Sequence, residues 1–277
     1  MKTKPILALV FSISLLLVNT TLRAQSEAKE TITVPLSDPS KPGSLKVNLL
    51  NGSIRISGYA GKEVVIEATS KGADKSDKPN DERASGMRRI VPGNGIELTA
   101  TEEKNAITIS SRFVNKAMNL HIKVPQKFTL KATTVNEGNI IVENVDGELE
   151  IANVNGDITL TNVSGSAVAN TINGALKANF KTIDMKSPMA FSTLNGDVDV
   201  SLPATAKFDV KIKSDRGEVY SDFDINVEKS QPQATRSNKD GMFRVSVEDW
   251  VKGKVNGGGS EIMMKNMNGN IYVRKAK

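Results

Sequence analysis

Four aspartates could do covalent chemistry in this chain: Asp157, Asp184, Asp197 and Asp199. Glycosidic hydrolysis needs two facing carboxyl groups, one to protonate the leaving oxygen and one to act on the sugar or on water. Their settings argue against that use. Asp157 and Asp197 each follow the glycine of a turn, where a short polar side chain serves the turn itself. Asp199 lies between Val198 and Val200, so alternation turns it outward on a strand. His121, the single histidine, stands the same way between Leu120 and Ile122 and reads as an exposed or capping residue, not a general base. No serine occupies a glycine-flanked nucleophile elbow. Gly257-Gly258-Gly259 precedes a strand and not a helix, so it does not read as a phosphate cradle. The chain reads as non-enzymatic, with no catalytic residue.

Metal chemistry fares no better. Calcium-binding nonapeptide solenoids place paired glycines and an aspartate at set positions, and calcium takes about 6–8 oxygen ligands. Here the glycines are single, and Asn139, Glu148, Asp157, Ser166 and Ala175 follow them, so no carboxylate column forms. With no cysteine and one histidine, zinc lacks its ligands. No metal or other cofactor is expected.

The elements that would carry these residues are set by a repeat. Gly138, Gly147, Gly156, Gly165 and Gly174 recur at one spacing, each behind a polar residue (Glu137, Asp146, Asn155, Ser164, Asn173). Apolar residues stand two and four places after each glycine, as in Ile140 and Val142 or Ile158 and Leu160. That is strand, turn, strand, turn. The unit is too short to hold a crossover helix, so a parallel α/β unit is excluded. Two all-β architectures remain: a β-solenoid with coils of about 18–22 residues, or an antiparallel meander in which each Asn-Gly closes a hairpin. The solenoid is favoured, because like residues recur in ladders that stacked coils reward.

Around this core the chain reads as follows. Residues 1–24 resemble a cleaved secretory signal peptide: Lys2 and Lys4, an apolar run over 6–18, then a polar exit. That run is short for a membrane span, which needs about 20 residues, and no later stretch approaches one. Residues 25–134 read as a looser β-rich part with a flexible loop near 71–89. Residues 135–277 read as the regular solenoid and its carboxy-terminal cap. A second polar stretch, 228–240, is expected to interrupt the strands. Without cysteine no disulfide can form, and the fold must rest on burial and hydrogen bonding. The net charge of +6 includes three basic residues of the leader, leaving about +3, which is no nucleic-acid signature.

One run is Leu120-His121-Ile122-Lys123-Val124-Pro125, leading through Phe128 to Asn136-Glu137-Gly138-Asn139-Ile140. A second is Val198-Asp199-Val200-Ser201-Leu202-Pro203, leading through Phe208 to Arg216-Gly217. With the Asn-Gly-Asp-Ile units and the closing Asn268-Gly269-Asn270-Ile271, these resemble the bacterial DUF4097 β-strand-repeat family, akin to the GIN-domain head adhesins. The likeness spans roughly residues 45–273. It implies a β-repeat fold and a supposed adhesive role, and it transfers no site residue.

What remains is a binding face. Thr159, Thr161, Asn162, Lys177 and Asn179 are expected on an outward strand surface, where they either meet a partner or only solvate the sheet. Trp250, the single tryptophan, either stacks on a sugar ring or packs as an end cap. The expectation is an exported protein of the periplasm, outer surface or extracellular space that adheres to an envelope or surface glycan or protein. A periplasmic scaffold or regulatory partner protein, and a polysaccharide-acting β-helix enzyme, are the alternatives.

Overall fold

Alternating apolar and polar residues carry through the chain as strands with one face buried. The computed structural model describes residues 28–70, 97–111, 117–136, 138–228, 233–239, 242–248 and 250–276. The expected leader (1–24) and the expected loop near 71–89 lie outside these residues. The strands begin with β1 (Ala28–Pro35), β2 (Gly43–Asn48), β3 (Ile54–Tyr59), β4 (Glu63–Ser70), β5 (Leu98–Glu103) and β6 (Ala106–Ser111). They continue with β7 (Met118–Pro125), β8 (Phe128–Thr134), β9 (Ile140–Glu143), β10 (Asp146–Asn153), β11 (Ile158–Asn173) and β12 (Leu176–Ile183). Next come β13 (Met189–Asn195), β14 (Val198–Leu202), β15 (Phe208–Ser214), β16 (Val219–Ser221) and β17 (Asn226–Val227). The last are β18 (Gln233–Lys239), β19 (Met242–Glu248), β20 (Val251–Val255), β21 (Glu261–Asn266) and β22 (Ile271–Lys275). Among the described residues there is no helix.

The pairings form two walls joined through the long strand β11. The first wall runs β1-β4-β7-β3-β9, then the start of β11, then β12-β14-β22-β16. The second runs β5-β6-β2-β8-β10, then the end of β11, then β13-β21-β15-β20-β17. Every pairing between β6 or β7 and β15 or β16 is parallel, and each coil crosses from second wall to first at an Asn-Gly or similar turn. The fold is therefore a β-solenoid, and the antiparallel meander is excluded. Asn155 lies 18 residues from its ladder partner Asn173, and Asn173 lies 22 from Asn195. Those are the coil lengths.

Inward side chains stack in columns between the walls. Ile140, Ile158, Leu176, Val198 and Ile271 form one such column, all buried. Full burial of a side chain of this size is worth ~1.5–3 kcal/mol. Where Ala167, Ala169 and Ala178 replace larger residues, Phe180 and Phe191 meet edge to face with centroids 6.0 Å apart.

The turns between the walls are built by three ladders. Asn155, Asn173, Asn195 and Asn268 each donate a side-chain amide to the asparagine of the neighbouring coil, at 3.1, 2.8, 2.7 and 2.7 Å. Two residues earlier, Asn153, Thr171, Thr193 and Asn266 donate to the carbonyls of Gly138, Gly156, Gly174 and Gly196. Just after the glycine, Asn139 and Asp157 accept the backbone N–H of Asp157 and Ala175. The glycines themselves form a column, and a Cβ on Gly174 would overlap the carbonyl of Gly156.

Two features depart from the reading of the sequence. Residues 233–239, expected within a polar interruption, form β18 and pair antiparallel with β19. The coils also stack out of chain order. The β2–β3 coil lies inside the later β6–β7 coil, and the β21–β22 coil lies inside the earlier β15–β16 coil.

Gly174→Ala is expected to cost about 3 kcal/mol in urea unfolding through overpacking. Gly257→Ala, with a φ of 93° but nothing within 4 Å of an added Cβ, should cost only ~1 kcal/mol. Equal effects would show that close approach does not set the corner. Deleting residues 138–155, one whole coil, should leave a folded protein with the circular dichroism of β-sheet. Deleting 261–277, a similar length, should abolish cooperative unfolding of the carboxy-terminal coils, because it removes an inner coil.

Candidate functional site

Strand alternation projects two rows of side chains from the first wall, one residue per coil. The first row begins Glu67, His121, Arg55, Ile141 and Thr159. It ends Lys177, Asp199, Tyr272 and Tyr220. The second row, two residues along, includes Ser57, Glu143, Thr161, Asn179, Ser201 and Arg274. Adjacent coils stand about 4.8 Å apart, so the rows form a regular raster.

Ion pairs tie neighbouring coils across this face. Lys29 meets Glu67 at 2.9 Å, Arg55 meets Glu143 at 3.0 Å, and Arg274 meets Asp199 at 2.8 Å. All are solvent-exposed pairs, worth ~0–1 kcal/mol each in stability. Their effect is to hold long side chains in place, which leaves less freedom to lose when a partner binds.

At the amino-terminal end of the face lies a shallow pocket of about 320 Å³, at the lower end of ligand-site sizes. Glu67, Arg55, His121, Asn119, Asn139 and Ile141 are among its walls. The Nε2 atom of His121 lies 3.5 Å from Ser57 Oγ. The hydrogen bond from Lys29 holds the Glu67 carboxyl below its ordinary value, with the charges of Lys29, His121 and Lys123 adding to it against partial desolvation. An acid, a guanidinium, an imidazole and two amides around one apolar side chain can hydrogen-bond a polar, hydroxylated ligand from several directions.

Of the residues singled out in the sequence, four come together. Thr159 pairs with Lys177, and Thr161 and Asn179 stand beside them on the same two coils. Asn162 does not join them. It sits at the corner between the walls with a φ of 53°, where the β11–β12 register shifts. Trp250 lies just before β20 of the second wall, with Lys211 Nζ 4.5 Å from its ring centroid.

Three of the four candidate carboxylates serve the turns, and the fourth, Asp199 on β14, pairs with Arg274. Asp157 accepts the Ala175 N–H at 2.8 Å, and Asp197 accepts the Asn270 N–H at 2.7 Å. Asp184 accepts from Ser187 Oγ and the Lys186 N–H, which hold its carboxyl below the ordinary value. Among the described residues no group of three or more histidines, cysteines, aspartates and glutamates could hold a metal ion.

The pocket and the Tyr220–Tyr272 pair were not foreseen. Their side chains are outward in an alternating pattern, which the sequence shows. Which of them become neighbours depends on pairing between distant strands, which it does not.

The family described as Toastrack DUF4097 matches residues 18–256, and the chain belongs to that family. A crystal structure of a candidate cell adhesion protein from Clostridium sporogenes is similar at 15% identity and a TM-score of 0.42, covering 90% of this chain and 99% of that one. A candidate adhesin from Bacteroides fragilis is similar at 11% identity and a TM-score of 0.42, covering 90% of this chain and 98% of that one. No curated protein matches the chain.

Because its pKa is depressed, Glu67 lends stability that is present above 4.5 and lost as pH falls below that through the lowered value. Lys29→Met should move the Glu67 pKa back up toward 4.5 in a carboxyl-carbon NMR titration. An unmoved midpoint would mean that Lys29 does not hold this corner of the pocket.

Proposed function

We propose that this Toastrack protein is an exported, non-catalytic binding protein of the cell envelope, attaching to a surface glycan or protein through the outer face of the first wall. The observation that carries the reading is the raster itself. Polar side chains repeat at one spacing over consecutive coils, on a first wall whose strands between the terminal β1 and β16 are each bonded on both sides. A surface of that kind has many weak, equivalent contact points. Contacts of this sort, some bridged by water, add up when a partner is also repetitive. A reaction centre asks for the opposite: a few groups converging on one atom.

The block Thr159, Thr161, Lys177 and Asn179 is the centre of the proposed face, with the pocket toward one end and the two tyrosines toward the other. The apolar run over residues 6–18 supports export as the route to this partner.

Beads carrying the purified protein should be retained on cells of the source species. Combining Thr159→Ala, Lys177→Glu and Asn179→Ala should lower retention at least about threefold, the scale expected when several weak contacts are lost together. Thr133→Ala with Asn170→Ala, on the second wall, should leave it unchanged. Equal loss in both variants would refute the assignment of the face. Protease added to intact cells should cut the native protein while a periplasmic marker survives. If both survive until the outer layer is opened, the adhesive role falls and a periplasmic partner takes its place.

A further inference from the structure

The chain has three tyrosines, and two of them meet at the carboxy-terminal end of the first wall. Tyr220 on β16 and Tyr272 on β22 are register partners, although 52 residues separate the two coils. Their rings are nearly parallel, at an interplanar angle of 13° with centroids 5.4 Å apart. The Arg274 guanidinium lies 4.8 Å from the Tyr272 ring centroid. Arg274 is itself held by Asp199, which belongs to the coil on the side away from Tyr220. Asn270 donates its side-chain amide to the Tyr272 hydroxyl at 3.1 Å. Tyr272 is thus fixed by its neighbours, and it fixes Tyr220 in turn.

Tyr220 is different. It is 52% exposed, and among the described residues β16 bonds only to β22, so no further coil lies over its outer side. A ring held in one orientation with its far face open is a ready stacking surface. We propose that the Tyr220–Tyr272 stack is a carbohydrate platform, taking the pyranose ring of a neutral hexose or N-acetylhexosamine within a longer glycan. This deepens the binding-face reading and rests on it.

The chemistry favours a sugar in two ways. One face of a pyranose presents a set of polarised C–H bonds, which suit the electron-rich face of a phenol ring. In the chain on either side of Tyr220, charge is mixed: Asp222 and Glu218 balance Arg216, with Arg274 across on β22. Asp222 is close enough to Arg274 to act on its charge. Such a balance gives no strong pull on an anion or a cation, but it supplies both donors and acceptors for hydroxyl groups. Little rotamer freedom remains to be lost on binding, because the stack already orders the ring.

The test uses full-length protein carrying 13C-labelled tyrosine rings. Cellohexaose, chitohexaose and maltohexaose are titrated in turn, with hexa-arginine as a cationic probe. Tyr59, whose hydroxyl donates to the Glu63 carbonyl at 2.8 Å, is an internal control away from the platform. At least one of the three sugars should shift the Tyr220 and Tyr272 signals along a saturable curve and leave Tyr59 in place. Tyr220→Ala should weaken that binding by about tenfold, while Tyr220→Phe and Tyr220→Trp should retain it at unchanged thermal stability. The proposal is overturned if none of the sugars moves Tyr220, if hexa-arginine alone does, or if Tyr220→Ala binds as the native protein does. Loss of cell retention in the Thr159, Lys177 and Asn179 variant, with no sugar shift at Tyr220, would sink the platform and leave the adhesive face standing.

Discussion

The structure depends on how closely one coil can approach the next at the turn between the walls. Parallel strands in a sheet stand about 4.8 Å apart, and the corner must keep that spacing while the backbone bends. At Gly138, Gly156, Gly174, Gly196 and Gly269 the space for a Cβ is already taken by a carbonyl of the adjacent coil. Asn155, Asn173, Asn195 and Asn268, each just before the glycine, then bridge to the asparagine of the neighbouring coil, and the polar residue two places earlier satisfies a glycine carbonyl of that coil. A bent backbone would otherwise leave these polar groups unpaired in a partly buried place, at a cost of ~1–3 kcal/mol each. Three ladders acting together make the corner repeatable, and a repeatable corner is what allows flat walls.

Much of this was legible because it is local. Glycines at Gly138, Gly156 and Gly174, with the intervening Gly147 and Gly165, mark alternate corners, and the apolar pairs that follow them mark the inner columns. The ladder logic that favoured a solenoid over a meander is the same logic seen in the bonding of Asn155 to Asn173. Stacking order was not legible. Nothing in Ile54-Arg55-Ile56 says that its neighbours will be Leu120-His121-Ile122 on one side and Ile140-Ile141-Val142 on the other. All three runs put apolar residues at their first and third places, so any pair of them would match. Hydrophobic pattern fixes which way a strand faces and leaves its partner open.

The same distinction governs the face. Thr159, Thr161, Lys177 and Asn179 stand as outward neighbours because they lie in consecutive coils of the regular repeat. Asn162 breaks the alternation, which would turn position 162 inward, and falls where the chain turns the corner, with a left-handed backbone that asparagine tolerates better than most residues. The Glu67, His121 and Arg55 cluster needs three coils whose order is not that of the chain. So does the meeting of Tyr220 with Tyr272. Sites made by distant pairing are those that a reading of local periodicity must miss.

Out-of-order stacking also answers a question that a cysteine-free repeat poses. A solenoid built strictly in sequence exposes its first and last coils, and fraying can begin at either chain end. Here the first coil in the chain is covered by β6 and β7, and the last is covered by β15 and β16. Beyond these, antiparallel strands cover the stack: β4 and β5 at one end, and β20 over β15 at the other, where β16 stays an edge. Opening either end therefore requires breaking contacts between segments far apart in sequence. That raises the cost of fraying, and it slows folding, since long loops must close before those contacts form. A rigid face is obtained without disulfides. The outward rows keep their spacing because the rungs beneath them cannot readily leave.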